Sequence, residues 1–155
     1  MKTVLMRAAR VFIGVPLLCP VSFAQTLAVR VINGSDGHPL RQQIVVVQFL
    51  DEQPIRASSP LQLKTDASGE AQFRIPDSQP KHLNIRLALT SEHWHCACWV
   101  MTDTENVVHN GIMQTAPANK AKVYTVPANA KPGQIVFVAT PFTFFERLLY
   151  PLIKE

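Results

Sequence analysis

From residue 26 onward, apolar side chains occur in short runs separated by turn residues, a pattern typical of a β-sandwich or barrel. Residues 26–32 alternate in polarity, so Leu27, Val29 and Val31 share one face of a predicted strand. Residues 82–90 alternate in the same way. The same reasoning predicts strands at residues 43–50, 61–65, 70–75 and 134–139, and a weaker one at 122–126.

Two of these segments carry more specific predictions about how the strands are placed. Residues 44–47 are apolar without interruption, which favours a strand that is covered on both faces. Residues 61–65 and 70–75 flank a short turn in which Asp66 can accept hydrogen bonds and Gly69 can adopt a positive φ. We therefore expect these two strands to form a β-hairpin.

A short helix is expected at residues 102–111. Thr102 and Glu105 have the spacing of a capping box, in which each side chain bonds the backbone amide of the other residue. Gly111 can end the helix because it adopts a positive φ without steric cost. Residues 93–101, just before it, form a strand or loop that carries cysteine and aromatic residues.

The C-terminal segment, residues 141–155, is more apolar than a solvated tail. Thr143 and Glu146 repeat the capping-box spacing at the start of an amphipathic pattern. A helix that lies on a membrane surface normally carries more Lys and Arg on its polar face. We therefore expect an amphipathic helix that docks on the sandwich.

The first 24 residues have the three parts of a cleavable export signal. Lys2, Arg7 and Arg10 give a positive start, an apolar run follows, and small residues precede the bond after Ala24. The apolar run is shorter than the roughly 20 residues that span a bilayer. Lipidation at Cys19 is an alternative, although a bulky leucine precedes that cysteine. Cleavage after Ala24 would deliver the domain to the periplasm or outside the cell.

Removal of this leader changes the charge of the protein. The chain has 15 basic and 11 acidic residues, and three of the basic ones lie in the leader, so 12 remain against 11. A nearly neutral domain lacks the concentrated basic face that nucleic-acid binding requires. We therefore expect one exported domain with no nucleic-acid partner and no transmembrane span in the mature chain.

Two stretches carry turn motifs that resemble those of a known family. Residues 29–40 are similar to the opening V-x-D-x-x-G-x-P-L pattern of carboxypeptidase regulatory-like domains, and residues 65–73 are similar to their T-D-x-x-G-x-F pattern. The resemblance implies a transthyretin-like (prealbumin-like) Greek-key β-sandwich of about seven strands, over residues 25–140. The structural turn residues are Gly34, Gly37, Asp66 and Gly69.

Family members are mostly accessory modules of exported proteins, and these motifs carry no chemistry. The part of the chain after residue 93 resembles exported bacterial proteins of unassigned activity.

Residues 93–98 concentrate the candidate chemistry of the chain. The candidate ligands are His93, His95, Cys96 and Cys98, with His109 on the predicted helix. Thiolates and imidazoles suit zinc or copper. An extended strand points the two neighbouring histidines away from the two cysteines, so a metal site requires a bend near His95.

A disulfide between Cys96 and Cys98 is the competing interpretation, because exported proteins meet an oxidising environment. Along an extended strand the two Cα atoms would lie about 6.5 Å apart, at the outer edge of the range that a disulfide permits. The bond would therefore require local distortion and would be comparatively labile. A third interpretation is that both residues are buried free thiols that act as small hydrophobes.

Trp94 and Trp99 would form a sugar-stacking platform if they were exposed. They lie five positions apart and so face opposite sides of a regular strand, which favours packing of one of them in the core. Carbohydrate is therefore one of two partner classes that we consider, the other being a protein of the cell envelope.

We interpret the chain as an exported, non-catalytic binding or structural module of the cell envelope. It has no nucleophile-elbow sequence, so we assign no catalytic residue and do not expect an enzyme. The alternative is a periplasmic metal-binding or thiol-redox protein that uses residues 93–98. A hydrolase with a dispersed site is a third and weaker hypothesis.

Overall fold

The computed structural model describes residues 25–50, 58–89, 94–115, 129–144 and 146–147. These residues form nine strands and one helix: β1 (Thr26–Asn33), β2 (Ile44–Leu50), β3 (Leu61–Lys64), β4 (Glu70–Arg74), β5 (His82–Ala88), β6 (Trp94–His95), β7 (Trp99–Asp103), α1 (Thr104–Asn110), β8 (Ile112–Thr115) and β9 (Gln134–Pro141). The predicted export signal and the weak strand at residues 122–126 lie outside the described residues. Within the described part of the chain, no helix is long and apolar enough to cross a membrane.

The strands form two sheets that face each other across one apolar core. One sheet has the order β4-β1-β9-β6, with β8 also paired to β9, and the other has the order β3-β2-β5-β7. Leu27, Val29 and Val31, predicted to share one face of a strand, are all fully buried in this core. The β-sandwich class predicted from the sequence is confirmed. The largest fully buried apolar side chains are Phe137, Leu27, Leu83, Ile85, Ile135, Val29, Val31, Val45, Val47 and Val107.

The strand that is covered on both faces is β9. It pairs in parallel with β1 and with β8, and its residues 135–139 are all buried. Strands buried on both faces are apolar without alternation. The matching prediction for residues 44–47 is wrong, because Ile44 and Val46 are only half-buried on the outer face of the four-stranded sheet.

The predicted hairpin between residues 61–65 and 70–75 is also wrong. β3 pairs with β2 and β4 pairs with β1, so the two strands belong to different sheets. The turn between them carries the chain from one sheet to the other. An alternating pattern reports which side chains face inward but not which strand is the partner, so hairpin and crossover look alike in sequence.

Thr65 lies at the start of this crossover and is fully buried. Its hydroxyl donates a hydrogen bond to the carbonyl of Leu40 at 2.8 Å and accepts one from the amide of Gln43 at 3.0 Å. The two backbone groups lie just before β2. The crossover and the entrance to β2 are therefore held together by one buried side chain.

Asp66 and Gly69 have the roles in this turn that the sequence predicts. One carboxylate oxygen of Asp66 accepts hydrogen bonds from the amide and hydroxyl of Ser68 and from the amide of Glu70. These bonds, with the Ser68 hydroxyl first, lower the pKa of Asp66 below its usual value of 3.8. Gly69 has φ +75°, and a Cβ there would lie 2.7 Å from the carbonyl oxygen of Val31.

The first turn, residues 33–37, is closed in a similar way. The side chain of Asn33 accepts a hydrogen bond from the amide of Ser35, and Gly37 adopts φ 75°. Gly34 is buried and donates from its amide to the carbonyl of Ala139 in β9 at 2.8 Å.

The helix begins two residues later than predicted. Thr102 lies in β7, opposite Leu83, and so the predicted capping box of Thr102 and Glu105 is wrong. Asp103 is the N-cap residue and makes no side-chain capping bond. The pairing of β7 with β5 thus outweighs the local capping signal.

Thr104 anchors the first turn of α1 to the loop before β5. Its amide donates to the carbonyl of Lys81 at 2.8 Å, and its buried hydroxyl donates to the carbonyl of Pro80. Gly111 ends the helix with φ 70°, as predicted, and its amide donates to the carbonyl of Val107.

The C-terminal segment begins with the predicted capping box. Glu146 accepts hydrogen bonds from the amide and hydroxyl of Thr143 at 2.7 and 2.9 Å, and its own amide donates to the Thr143 hydroxyl. These bonds, with that from the Thr143 amide first, lower the pKa of Glu146. Residues 148–155 lie outside the described part, so docking of the whole helix stays a prediction.

Replacement of Thr65 by valine keeps the branched shape and removes the hydroxyl. The carbonyl of Leu40 and the amide of Gln43 then lose a buried partner, so we expect the free energy of unfolding to fall by about 1–3 kcal/mol. Urea unfolding measures the change. Thr26→Val, at an exposed position of β1, is the control and should change stability by less than about 0.5 kcal/mol. Equal effects of the two substitutions would contradict this role.

Asp66→Asn should destabilise the protein in a pH-dependent manner. Because the folded protein lowers the pKa of Asp66, the ionised carboxylate stabilises the fold above its usual pKa of 3.8, and this stabilisation disappears as the pH falls through the lower folded value. The difference in Tm between the wild type and Asp66→Asn should therefore be constant near neutral pH and shrink in acid. Asp77→Asn, on another exposed turn, is the control. A difference that persists at about pH 2 would contradict the prediction.

Candidate functional site

Residues 96–98 form a second crossover between the two sheets. β6 pairs with β9 in the five-stranded sheet, whereas β7 pairs with β5 in the four-stranded sheet. The segment predicted as one strand or loop over residues 93–101 is therefore two strands joined by a bend. The chain changes sheets at the two cysteines.

This bend brings Cys96 and Cys98 together. Their Cα atoms lie 5.0 Å apart, against about 6.5 Å in an extended strand, and their sulfur atoms are at disulfide-bonding distance. Both side chains are half-buried and pack against the core. The carbonyl of Cys98 accepts a hydrogen bond from the amide of Leu87 in β5 at 2.8 Å. The change of sheet supplies the distortion that strand geometry requires for a bond between these residues.

His95 precedes the pair and contacts the C-terminal segment. Its Nε2 lies 3.0 Å from a carboxylate oxygen of Glu146, and only 14% of its side chain is exposed. Its ring centroid lies 4.3 Å from that of Phe142 at an interplanar angle of 41°. His95 therefore joins β6 to the turn that follows β9.

The remaining histidine candidates do not converge on the cysteines. His109 lies in the last turn of α1, beyond the opposite end of β7 from Cys98. His93 lies outside the described residues. Among the side chains that the structure describes, no group of three or more His, Cys, Asp or Glu is placed to hold a metal ion. The expectation that the protein binds no cofactor, with zinc or copper as the lesser alternative, stays a prediction.

His109 instead lines a cleft of about 640 Å³ that residue patterns did not predict. His82 and Asp103 also line the cleft, and Nδ1 of His82 lies 2.7 Å from a carboxylate oxygen of Asp103. His82 and Asp103 are register partners on β5 and β7, so a correct pairing of these strands would have placed them together. The cleft also carries Lys81 and Glu105, so its charges are mixed.

The two tryptophans lie in different sheets. Trp94 is half-buried in β6, opposite Pro141. Trp99 is 55% exposed on β7, and its indole Nε1 donates a hydrogen bond to the side-chain oxygen of Asn84 at 2.7 Å. They therefore do not form a shared platform, and Trp99 alone presents an open ring.

No family model and no curated protein matches this chain. Among solved structures, the full-length major pilin SpaD from Corynebacterium diphtheriae is similar at 11% identity and a TM-score of 0.48, over 76% of this chain and 30% of the pilin. The group B streptococcus pilus 2b backbone protein is similar at 11% identity and a TM-score of 0.42, over 78% and 42% of the two chains.

The chain thus spans less than half the length of either pilus protein. At these scores the likeness concerns the β-sandwich alone and carries no argument about function. The resemblance to carboxypeptidase regulatory-like domains is likewise shown only as far as the β-sandwich.

Replacement of both Cys96 and Cys98 by serine should lower the free energy of unfolding by about 1–2 kcal/mol, a modest loss because a link across so short a loop restricts the unfolded chain little. Urea unfolding with and without a reducing agent measures it. The reductant should destabilise the wild type and leave the double variant unchanged. A reductant effect of the same size on both proteins would contradict a link between these cysteines.

Proposed function

We propose that this chain is an exported, non-catalytic module of the cell envelope, in which residues 96–98 stabilise the fold. The observation that carries the proposal is the position of Cys96 and Cys98 at the crossover between the sheets. A link at this point restricts the bend by which the chain leaves one sheet and enters the other. Its contribution is therefore to the architecture of the sandwich.

The surroundings of the two cysteines support this structural role. A thiol–disulfide exchange site needs a sulfur atom that a partner thiolate can reach in line with the bond. Here both side chains pack partly against the core, and the backbone of Cys98 is hydrogen-bonded into the four-stranded sheet. The pair is thus held by the same contacts that hold the sheets.

The neighbouring histidine is engaged in the same way. Nε2 of His95 contacts Glu146, and the ring packs against Phe142. Both contacts connect β6 to the C-terminal segment, which supports a structural role for His95.

Export is the second part of the proposal and depends on residues 1–24. Their positive start, apolar run and small residues before the cut are those of an export signal. An exported chain meets conditions in which a disulfide between Cys96 and Cys98 persists. The proposed compartment and the proposed link are therefore consistent.

The finer proposal is that the domain is related to carboxypeptidase regulatory-like domains. Its support is that the two motifs of the resemblance contact each other. The amide of Val31 donates to the carbonyl of Gly69 at 2.8 Å, and a Cβ at Gly69 would lie 2.9 Å from that of Pro39. The hydroxyl of Thr65 bonds the carbonyl of Leu40. The motifs thus build one unit that links β1 to the first crossover.

Intact-mass spectrometry of the protein exported by living cells tests both parts. We expect the mass of residues 25–155 reduced by two hydrogen atoms, and a gain of two hydrogen atoms after reduction. The Cys96→Ser, Cys98→Ser variant is the control and should show no change on reduction. A retained leader would contradict export, and a fully reduced wild type would contradict the link.

Metal analysis and an insulin-reduction assay separate this proposal from the metal-binding or thiol-redox alternative. We expect no stoichiometric metal and no turnover that depends on the cysteines. Stoichiometric zinc or copper that is lost in a His95→Ala variant would favour the metal alternative. Insulin reduction that is abolished by the double serine substitution would favour the redox alternative.

A further inference from the structure

The outer face of the four-stranded sheet has an open apolar strip beside an exposed aromatic ring. Trp99 is 55% exposed, and Val46, two strands away, is half-buried on the same face. Between them lies a shallow depression of about 600 Å³, which Arg86 and Ala88 also line. We call this surface, formed by Ile44, Val46, Arg86, Ala88 and Trp99, the Trp99 face.

The indole ring is held in place on this face. Its Nε1 donates to Asn84 at 2.7 Å, so one polar contact orients the ring while its surface stays accessible. Burial of a large aromatic side chain stabilises a fold, and this fold leaves more than half of Trp99 exposed. An ordered and exposed ring lowers the entropic cost of binding a flat ligand.

Polar side chains and the exposed Met101 flank the ring on this face. The register places Trp99 opposite Arg86, Arg86 opposite Val46, and Val46 opposite Gln62. This row crosses four strands and so spans about 14 Å. The next row adds the amide side chain of Gln48, opposite Asn84. Hydrogen-bonding groups therefore flank one aromatic ring along a shallow track.

The charge of this track is positive. Arg86 lies beside the ring, and Lys64 is exposed on β3, opposite Ile44. Among the described residues on this face, the acidic side chain is Asp103, which is paired with His82 at the far end of β7. The face thus presents Arg86 beside Trp99 and Lys64 at the opposite edge of the sheet, and neither cation has an acidic neighbour among the described residues of this face.

We propose that the Trp99 face binds an acidic polysaccharide, a chain of uronic acid sugars. The C–H face of one sugar stacks on Trp99, because aromatic rings present a negative face to such groups. The guanidinium of Arg86 pairs with a sugar carboxylate in the two-pronged geometry that arginine favours. Gln62, at the far end of the row, is placed to bond a hydroxyl group of a further sugar.

Other partner classes fit this face less well. Nucleic acid needs a more concentrated set of cations than Arg86 and Lys64 provide. A stable protein interface is centred on a fully buried apolar core, whereas amide and guanidinium groups interrupt this strip. The proposal goes beyond the proposed structural role of residues 96–98, because it gives the module a binding surface and a class of ligand.

Calorimetric titration of the purified protein with an oligogalacturonate tests the proposal, with the fully methyl-esterified oligomer as the neutral counterpart. We expect binding of the acid form, with an affinity that falls as salt increases. Trp99→Ala should weaken binding roughly tenfold, and Trp99→Phe should retain part of the affinity. Arg86→Gln should weaken binding of the acid form and reduce its preference over the ester.

Two controls separate the site from general effects. Arg74→Gln removes an exposed cation from the other sheet and should leave affinity unchanged. Trp94→Phe should leave binding unchanged and lets fluorescence quenching be assigned to Trp99. Unfolding curves of the Trp99, Arg86 and Arg74 variants should match that of the wild type, since these three side chains are exposed.

Equal binding of the acid and the ester would overturn the ionic part of the proposal. Binding of the acid form that is unaffected by Trp99→Ala would overturn the site itself. Competition by vesicles of anionic lipid that is equally effective against the wild type and Trp99→Ala would also overturn it. Absence of binding to either oligomer would overturn the inference and leave the proposed structural module intact, because the mass and thiol measurements test that independently.

Discussion

One buried hydroxyl group joins the first crossover between the sheets to the segment that enters β2. Thr65 accepts from the amide of Gln43 and donates to the carbonyl of Leu40, so it satisfies backbone groups that no strand partner reaches. Buried backbone groups without partners are costly, and a crossover between sheets creates such groups by necessity. The turn at Asp66 and Gly69, and through it the pairing of β4 with β1, depends on this arrangement.

The second crossover solves the same problem with different chemistry. At Cys96 and Cys98 the chain passes from β6, which pairs with β9, to β7, which pairs with β5. A pair of sulfur atoms lies at this bend, where the first crossover has a buried hydroxyl. The two crossovers have opposite consequences for the surface. The first is anchored by the inward-facing hydroxyl of Thr65, whereas the second places Trp99 on the outer face of the sheet directly after the bend.

Much of the sandwich could be predicted from alternation. The inward positions of Leu27, Val29 and Val31 follow from a period of two, since one face of each strand is buried. Which strands pair could not be predicted, because β3 and β4 show the same alternation whether they form a hairpin or belong to separate sheets. The double burial of β9 also depends on contacts on the outer face, where Val136 and Val138 pack with Ile32 of β1 and with Ala130, residues that lie apart in sequence.

The sequence shows which residues the candidate site contains, but it does not show how their side chains are arranged. The spacing of Cys96 and Cys98 indicates that a link between them needs a distorted backbone, and the change of sheet supplies it. The separation of His109 from the cysteines follows from the length and direction of β7, which residue types do not report. Likewise, the exposure of Trp99 depends on whether another part of the chain covers the outer face of its sheet, and the alternation of residues along β7 does not report this.

The pairing of β1 with β9 has a consequence for how the molecule is made. The first and the last described strands are neighbours, so the central ladder of the five-stranded sheet cannot form until nearly the whole chain is present. Folds that depend on such distant contacts form slowly, because the chain loses the conformational entropy of a long loop before the stabilising contacts form. If residues 1–24 direct export, as we propose, this delay disfavours folding of the chain before it has crossed the membrane.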